Sequence, residues 1–360
     1  MGFKEKIITL IQGEPITVGI DIGNYSIKIA RMAHRPGGPV LLGAGIHVLK
    51  PETIVSGEIK NRDELLQGLT SLVHRTDPTG KIKDVILSLS WSYGVIADRI
   101  RLKTSKTESD EEVILMEAGQ RSPFDVDNIT LDYKILHKTL ESEEMEVLLV
   151  AAKLQVMQSY IDLLYEAGLR PVVIDVDAFA VTNAYLLSAP VEDSNKVISL
   201  INIGEYLTNL TFLKNGTYHS TRDIATACDF FLKTLMKNLK VDREEAANLL
   251  RGKNVEKYNA ATLTRALEFS AEELSVGIDL AFSYFQSSEN NLKVEKMVLC
   301  GGGACIQNLA GLLAKRHNVE VEITNPLQHI AYDEKKFSGP IPENISTILT
   351  VATGLALRQI

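Results

Sequence analysis

Ile16-Thr17-Val18-Gly19-Ile20-Asp21-Ile22-Gly23-Asn24-Tyr25-Ser26-Ile27-Lys28-Ile29-Ala30 is the stretch on which the reading of the chain turns. β-Branched residues fill both flanks around a Gly-Asn pair, so the pattern predicts two short strands folded into a hairpin. Asp21 closes the first strand, and Ser26 and Lys28 open the second. The tip therefore gathers a carboxylate, exposed backbone N–H groups near Gly23, a hydroxyl and an ammonium. That set suits a polyphosphate with a divalent cation: the N–H groups and Lys28 answer phosphate oxygens, and Asp21 holds the metal directly or through water. A polar tip is also ordinary turn chemistry, so the reading depends on partners elsewhere.

Two partners lie downstream. Ile198-Ser199-Leu200-Ile201-Asn202-Ile203-Gly204-Glu205-Tyr206-Leu207-Thr208-Asn209-Leu210-Thr211-Phe212-Leu213 repeats the plan of strand, polar residue, Ile-Gly and second strand, as an internal duplication would. Met297-Val298-Leu299-Cys300-Gly301-Gly302-Gly303-Ala304 runs from a strand through three glycines into a helical pattern at Ile306–Arg316. Glycines there let backbone lie flat against a nucleoside. In this order and at these separations, the three stretches resemble the two phosphate loops and the adenosine loop of the actin-like ATPase superfamily.

Bulk properties narrow the alternatives. The 360 residues leave room for two domains and a sizeable core. A 45% hydrophobic and 23% charged composition is that of a globular protein, not of a disordered chain. A formal net charge of -8 argues against a general nucleic-acid binder, which would show a basic excess. No apolar run approaches the ~20 residues of a transmembrane helix, and Met1–Lys6 lacks the apolar core of a signal peptide, so a cytoplasmic chain is expected. Cys228, Cys300 and Cys305 form no CxxC pair and are expected to be reduced, buried thiols. The seven histidines are scattered without ligand-like spacing, and there is no GxxxxGK[ST], HExxH or GxSxG motif.

Taken in order, Phe3, Ile7, Leu10 and Ile11 fall on one side of a short helix, either a docking element or one packed on its own domain. A third strand follows at Val40–Leu49, and then a helix capped by Asn61 with Leu65, Leu66, Leu69, Leu72 and Val73 buried. Val85–Leu89 is a buried strand. From Val95 the texture changes to strand, acidic-capped helix near Glu111–Arg121, strand Ile129–Leu136, charged turn Glu141–Glu146 and strand Val147–Ala152, a small inserted subdomain. Trp91 precedes it as either a core or a groove residue. Leu154–Ala167 is an amphipathic helix ended by Gly168, Pro171–Val176 a strand and Ala178–Leu187 a helix. Pro190–Lys196 is polar and linker-like. The second half adds helices at Asp229–Asn238, Val241–Leu250 and Ala261–Ser287, a strand at Val319–Ile323 and a closing helix at Ser346–Leu357.

Across nearly the whole chain the sequence resembles the PilM family, the cytoplasmic actin-like component of type IV pilus assembly. The carrying residues are Val18-Gly19-Ile20-Asp21-Ile22-Gly23 with Ser26-Ile27-Lys28, Arg121-Ser122-Pro123-Phe124, Leu131-Asp132-Tyr133, and Val150-Ala151-Ala152-Lys153. They continue with Glu166-Ala167-Gly168-Leu169-Arg170-Pro171, Asp175-Val176-Asp177-Ala178-Phe179-Ala180, Arg222-Asp223-Ile224, Cys300-Gly301-Gly302-Gly303-Ala304 and Asn325-Pro326. FtsA, the cell-division relative, shares the architecture but ends in a membrane-targeting helix that Thr353–Ile360 does not resemble.

The resemblance implies an α/β, two-lobed actin-like (ribonuclease H-like) ATPase fold with a small inserted β-α-β-β subdomain. It places the first lobe at residues 1–94 and 153–194, the insert at 95–152, the second lobe at 195–345, and a C-terminal helix, 346–360, back on the first lobe. It implies ATP and Mg²⁺ between the lobes, held by Asp21, Gly23, Asn24, Tyr25, Ser26, Lys28, Gly204, Thr208, Glu273, Gly301, Gly302 and Gly303. Asp21 is the metal residue, and Asp21 and Asn202 stand at the metal and hydrolysis positions. It also implies a partner: the N-terminal cytoplasmic segment of a PilN-like bitopic inner-membrane protein, bound in a groove beside the insert. That contact makes the chain peripheral to the membrane among other pilus components, with no nucleic acid.

Departures fall where the chemistry would be. Asn202 replaces an Asp; Glu205, Tyr206 and Leu207 stand where small or hydroxyl residues belong; Ala227-Cys228 replaces Gly-Gly; Val276 replaces an Arg. A Glu205 carboxylate ~4 Å from a phosphate costs about 1 kcal/mol even in water. The expected result is a scaffold with impaired hydrolysis that binds nucleotide weakly or not at all. The alternatives are a competent ATPase, an FtsA-like filament former detectable by pelleting, and a small-molecule kinase using Asp177 as base, although helix capping explains Asp177 equally.

Overall fold

The computed structural model describes residues 15–90, 94–104, 108–121, 128–139, 143–289, 291–333, 335, 337–338 and 345–359. The expected N-terminal helix, Trp91, Ser122-Pro123-Phe124 and the start of the charged turn at Glu141 lie outside the described residues.

The chain runs β1 (Ile16–Ile22), β2 (Ser26–Arg35), β3 (Gly38–Val48), β4 (Ile54–Val55), β5 (Glu58–Ile59), α1 (Arg62–Thr76), β6 (Asp84–Leu89), β7 (Val95–Lys103), α2 (Asp110–Arg121), β8 (Ile129–Thr139) and β9 (Glu144–Lys153). It continues through α3 (Leu154–Glu166), β10 (Arg170–Val176), α4 (Asp177–Ser188), β11 (Val197–Ile203), β12 (Thr208–Lys214), β13 (Thr217–Ile224), α5 (Cys228–Leu239), α6 (Arg243–Leu250) and α7 (Ala260–Ser288). The last part holds β14 (Lys296–Cys300), α8 (Leu309–His317), β15 (Glu320–Ile323), β16 (Ala331–Tyr332), β17 (Phe337–Ser338), α9 (Ile345–Ile348) and α10 (Thr350–Ala356).

Two sheets repeat one plan. In the first, an antiparallel meander β3-β2-β1 continues into parallel β6 and β10; in the second, β13-β12-β11 continues into parallel β14 and β15. Strands covered on both faces read as near-continuous apolar runs, and Val85–Leu89 and Ile198–Ile201 do so for that reason. The register fixes the correspondence: Asp21 pairs with Lys28 across the first hairpin, and Asn202 with Asn209 across the second. The insert is a separate three-stranded sheet, β7-β9-β8, with α2 contributing Val113, Ile114 and Ala118 to its own small core.

Asn61 caps α1 as its side chain accepts from the Glu64 N–H at 3.1 Å, and Leu65, Leu69 and Leu72 are fully buried. The expected single C-terminal helix is two, α9 and α10, separated at Leu349. α10 packs on α4 so closely that a Cβ on Gly354 would sit 1.8 Å from the Ala180 carbonyl oxygen. Arg358 then ties its end to Asp175 at 2.6 Å. β16 and β17, inside the range expected for the second lobe, pair with β3 of the first sheet.

The linker-like stretch is exposed at most of its positions but pinned at one. Asp193 is buried and accepts from the Tyr185 hydroxyl at 2.8 Å, Lys196 at 2.7 Å and Lys296 at 2.8 Å. These three donors hold its carboxyl down to about 2 against the opposing effect of burial. Polar composition alone suggested a loop; the buried lysine on β14 turns it into a junction.

Candidate functional site

Both hairpins end in the same local turn. The Gly23 N–H donates to the Ser26 carbonyl at 3.1 Å, and the Gly204 N–H donates to the Leu207 carbonyl at 2.9 Å. The two tips meet the glycine segment around a cleft of about 370 Å³. Asp21, Gly23, Asn24, Tyr25, Ser26 and Lys28 line it from the first hairpin, Asn202 and Gly204 from the second, and Gly301 and Gly302 from the segment after β14. Residues from separate ends of the sequence thus form one wall-to-wall site, at a volume within the roughly 300–1,000 Å³ common for small-molecule sites.

Three expected contributors lie elsewhere. Thr208 is fully buried, its hydroxyl donating to the Thr226 carbonyl at 2.7 Å. Gly303 packs inward, where a Cβ would lie 2.1 Å from Ile203 Cγ2, whereas the same atom on Gly302 would meet nothing within 4 Å. Glu273 is exposed on α7 and does not line the cleft. Val276, counted among the cleft substitutions, is likewise 56% exposed and outside it. Helical periodicity predicts α7 but not which way its outer face turns.

Charge is arranged unequally between the hairpins. Lys28 Nζ lies 3.0 Å from Asp21 Oδ2, both side chains mostly buried. Their counterparts are neutral: Asn209 turns its amide to donate to Asp223 Oδ1 at 2.8 Å. Burial pushes the Asp223 carboxyl up to about 6 despite that donor. Asp177, at the start of α4, lines the cleft, and burial together with the nearby Asp21 carboxylate pushes it up to about 7.

Glu205 does not present a bare charge. Arg243 from α6 bonds its carboxylate and also donates to Asp229 Oδ1 at 3.0 Å. Burial raises the Glu205 carboxyl, against the pull of Arg243. The same turn closes off the start of α5: the Cys228 N–H donates to the Gly204 carbonyl at 3.1 Å and the Asp229 N–H to the Glu205 carbonyl at 2.8 Å. Two donors that could meet an anion at a helix N-terminus are thereby used internally.

The cleft also includes residues that sequence reasoning did not place there. Thr347, Ile348, Thr350 and Val351 come from α9 and α10, and the Gly301 N–H donates to the Thr347 carbonyl at 3.1 Å. Arg251 and Lys253 come from the turn after α6. Cys228 and Cys305 line the cleft as half-buried residues, but the Cys228 thiol itself is buried, so the expectation of buried thiols holds for Cys300 and Cys228 and fails for Cys305. Local patterns carry no signal for such long-range closure.

For Mg²⁺ the fit is partial. Asp21 offers one carboxylate, which suffices when phosphate oxygens and waters complete the shell, but Lys28 already competes for it. Among the described residues, no group of three or more His, Cys, Asp and Glu is arranged to hold a metal ion. For a nucleoside, the open backbone at Gly302 fits. Among the described residues, no helix is long and apolar enough to cross a membrane.

The family model described as type IV pilus assembly protein PilM matches residues 19–360. The fold is similar to that of a chain in a solved PilM-PilN type IV pilus biogenesis complex, with 25% identity, 95% of this chain and 97% of that chain covered, and a TM-score of 0.80. Ethanolamine utilization protein EutJ from Carboxydothermus hydrogenoformans is similar in fold at 12% identity, covering 95% and 89%, with a TM-score of 0.57. MreB 5 of Spiroplasma citri bound to AMPPNP is similar at 12% identity, covering 94% of each chain, with a TM-score of 0.52. The architecture is the two-lobed actin-like one, and the chain belongs to the PilM family of type IV pilus assembly proteins.

Proposed function

We propose that the protein is a cytoplasmic scaffold of the type IV pilus inner-membrane assembly complex that binds the N-terminal cytoplasmic segment of a PilN-like bitopic membrane protein. The observation that carries this reading is the near end-to-end likeness to the chain of a PilM-PilN complex. Through that partner the chain sits at the cytoplasmic face of the inner membrane. A pull-down with the first residues of the neighbouring bitopic protein tests it. Retention of the chain supports the reading, and its absence from the eluate refutes it.

In this reading the cleft holds ATP loosely and hydrolyses it slowly or not at all. Asn202 supplies no carboxylate to a metal, the first two N–H groups of α5 are taken by carbonyls of the second turn, and Asp21 is already paired. When bound, Mg²⁺ would screen the phosphates, and Asp21 is the residue that would hold it. Steady phosphate release at micromolar ATP would refute impaired hydrolysis. A second reading, slow but genuine ATPase activity, draws on Asp177, whose carboxyl near 7 suits a general base beside Asp21.

A further inference from the structure

The cations around the cleft are not equivalent. Lys28 is held by Asp21 at 3.0 Å, and Arg243 is shared between Glu205 and Asp229. Arg251 lines the same cleft from the turn after α6, and among the described residues its guanidinium has no hydrogen-bond or carboxylate partner. Lys253 adds a second positive charge to that wall. The turn is fixed against the glycine segment: the Gln307 N–H donates to the Leu250 carbonyl at 2.7 Å, and Gln307 Nε2 to the Leu249 carbonyl at 2.9 Å. The backbone that carries Arg251 is thus tied to the segment that follows the three glycines, and is not a detached loop.

We propose that Arg251 is the anion-gripping residue of this cleft, holding a phosphate group of a phosphorylated nucleoside at the Gly302 wall in place of the second hairpin. This rests on the reading that the cleft retains nucleotide. A guanidinium presents a planar fork that matches two phosphate oxygens and stays charged at any working pH. The second hairpin offers no cation at its Asn202–Asn209 pair, and the first two N–H groups of α5 beside it are taken by the Gly204 and Glu205 carbonyls. A grip of this kind needs no metal, and because Arg251 is exposed to solvent it weakens as salt screens it.

Equilibrium titration of the full chain with ATP, in EDTA and in Mg²⁺ and at low and high salt, tests the proposal. Wild type binds ATP in EDTA, Arg251→Ala weakens that binding roughly tenfold or more, and Arg251→Lys falls between them. The salt dependence flattens in Arg251→Ala. Because the guanidinium supports no other group, the variant melts with the wild type; Arg251→Gln serves as the second variant should Arg251→Ala fold poorly. Wild-type affinity in Arg251→Ala, or no ATP binding by wild type without metal, overturns the proposal. Peptide capture is measured on the same samples. Its failure in wild type sinks the scaffold reading and leaves the Arg251 result standing.

Discussion

Asp21 and Lys28 face each other across the first hairpin with 3.0 Å between carboxylate and ammonium, while their counterparts in the second hairpin, Asn202 and Asn209, carry no charge. The two halves keep one backbone plan and differ in chemistry: one tip is an ion pair, the other an amide pair linked to Asp223. Asp21→Asn leaves Lys28 largely buried without its carboxylate. The expected loss is about 2 kcal/mol in urea denaturation, most of it recovered in Asp21→Asn/Lys28→Met, because removing both charges avoids the orphan.

Arg243 holds Glu205 and Asp229 together, so Arg243→Ala leaves two carboxylates facing each other. More than a third of the Arg243 side chain is in solvent, which screens the effect to about 1–2 kcal/mol. Glu205→Gln in that background restores more than half of the loss. A double-mutant cycle that shows no coupling would remove Arg243 from its assigned role.

Gly302 and Gly303 are neighbours with opposite tolerances. A Cβ at Gly303 collides with Ile203, and Gly303→Ala is expected to cost about 2–3 kcal/mol as the strand and the segment are forced apart. At Gly302 the same methyl meets open cleft, so Gly302→Ala melts with the wild type. Thermal unfolding of the pair checks both statements.

Asp177 gives the stability a pH signature. Its folded carboxyl titrates near 7, above the unfolded value of about 4, so between these values the folded state binds the extra proton. Stability from this group is therefore greatest below the unfolded value and falls as pH rises towards 7, by at most about 1.4 kcal/mol per pH unit. Asp177→Asn flattens that slope and is more stable than wild type above pH 7. Parallel slopes in urea titrations from pH 4 to 8 would contradict it.

The sequence was most legible where local chemistry sets local geometry. Gly-Asn between β-branched runs gave the first hairpin, the repeated Ile-Gly gave its counterpart, and Asn61 gave the start of α1. It was least legible where the chain closes on itself. Nothing near Arg243 announces Glu205, nothing near Thr347 announces Gly301, and Pro190–Lys196 reads as linker until Lys296 arrives from β14. Glu273, named from the resemblance, stands exposed on α7 outside the cleft lining, a rotation that helical spacing leaves to packing. The family resemblance spanned these gaps at the level of fold, while the charge pattern of the cleft had to be read from the folded chain.

The most direct test is calorimetric titration of the full chain with the N-terminal cytoplasmic peptide of the proposed PilN-like partner, with and without Mg²⁺ and ATP. Saturable one-to-one binding in both conditions, with no steady phosphate release, is the predicted result. No binding heat at micromolar peptide, or binding seen only while ATP is being hydrolysed, would contradict the scaffold account.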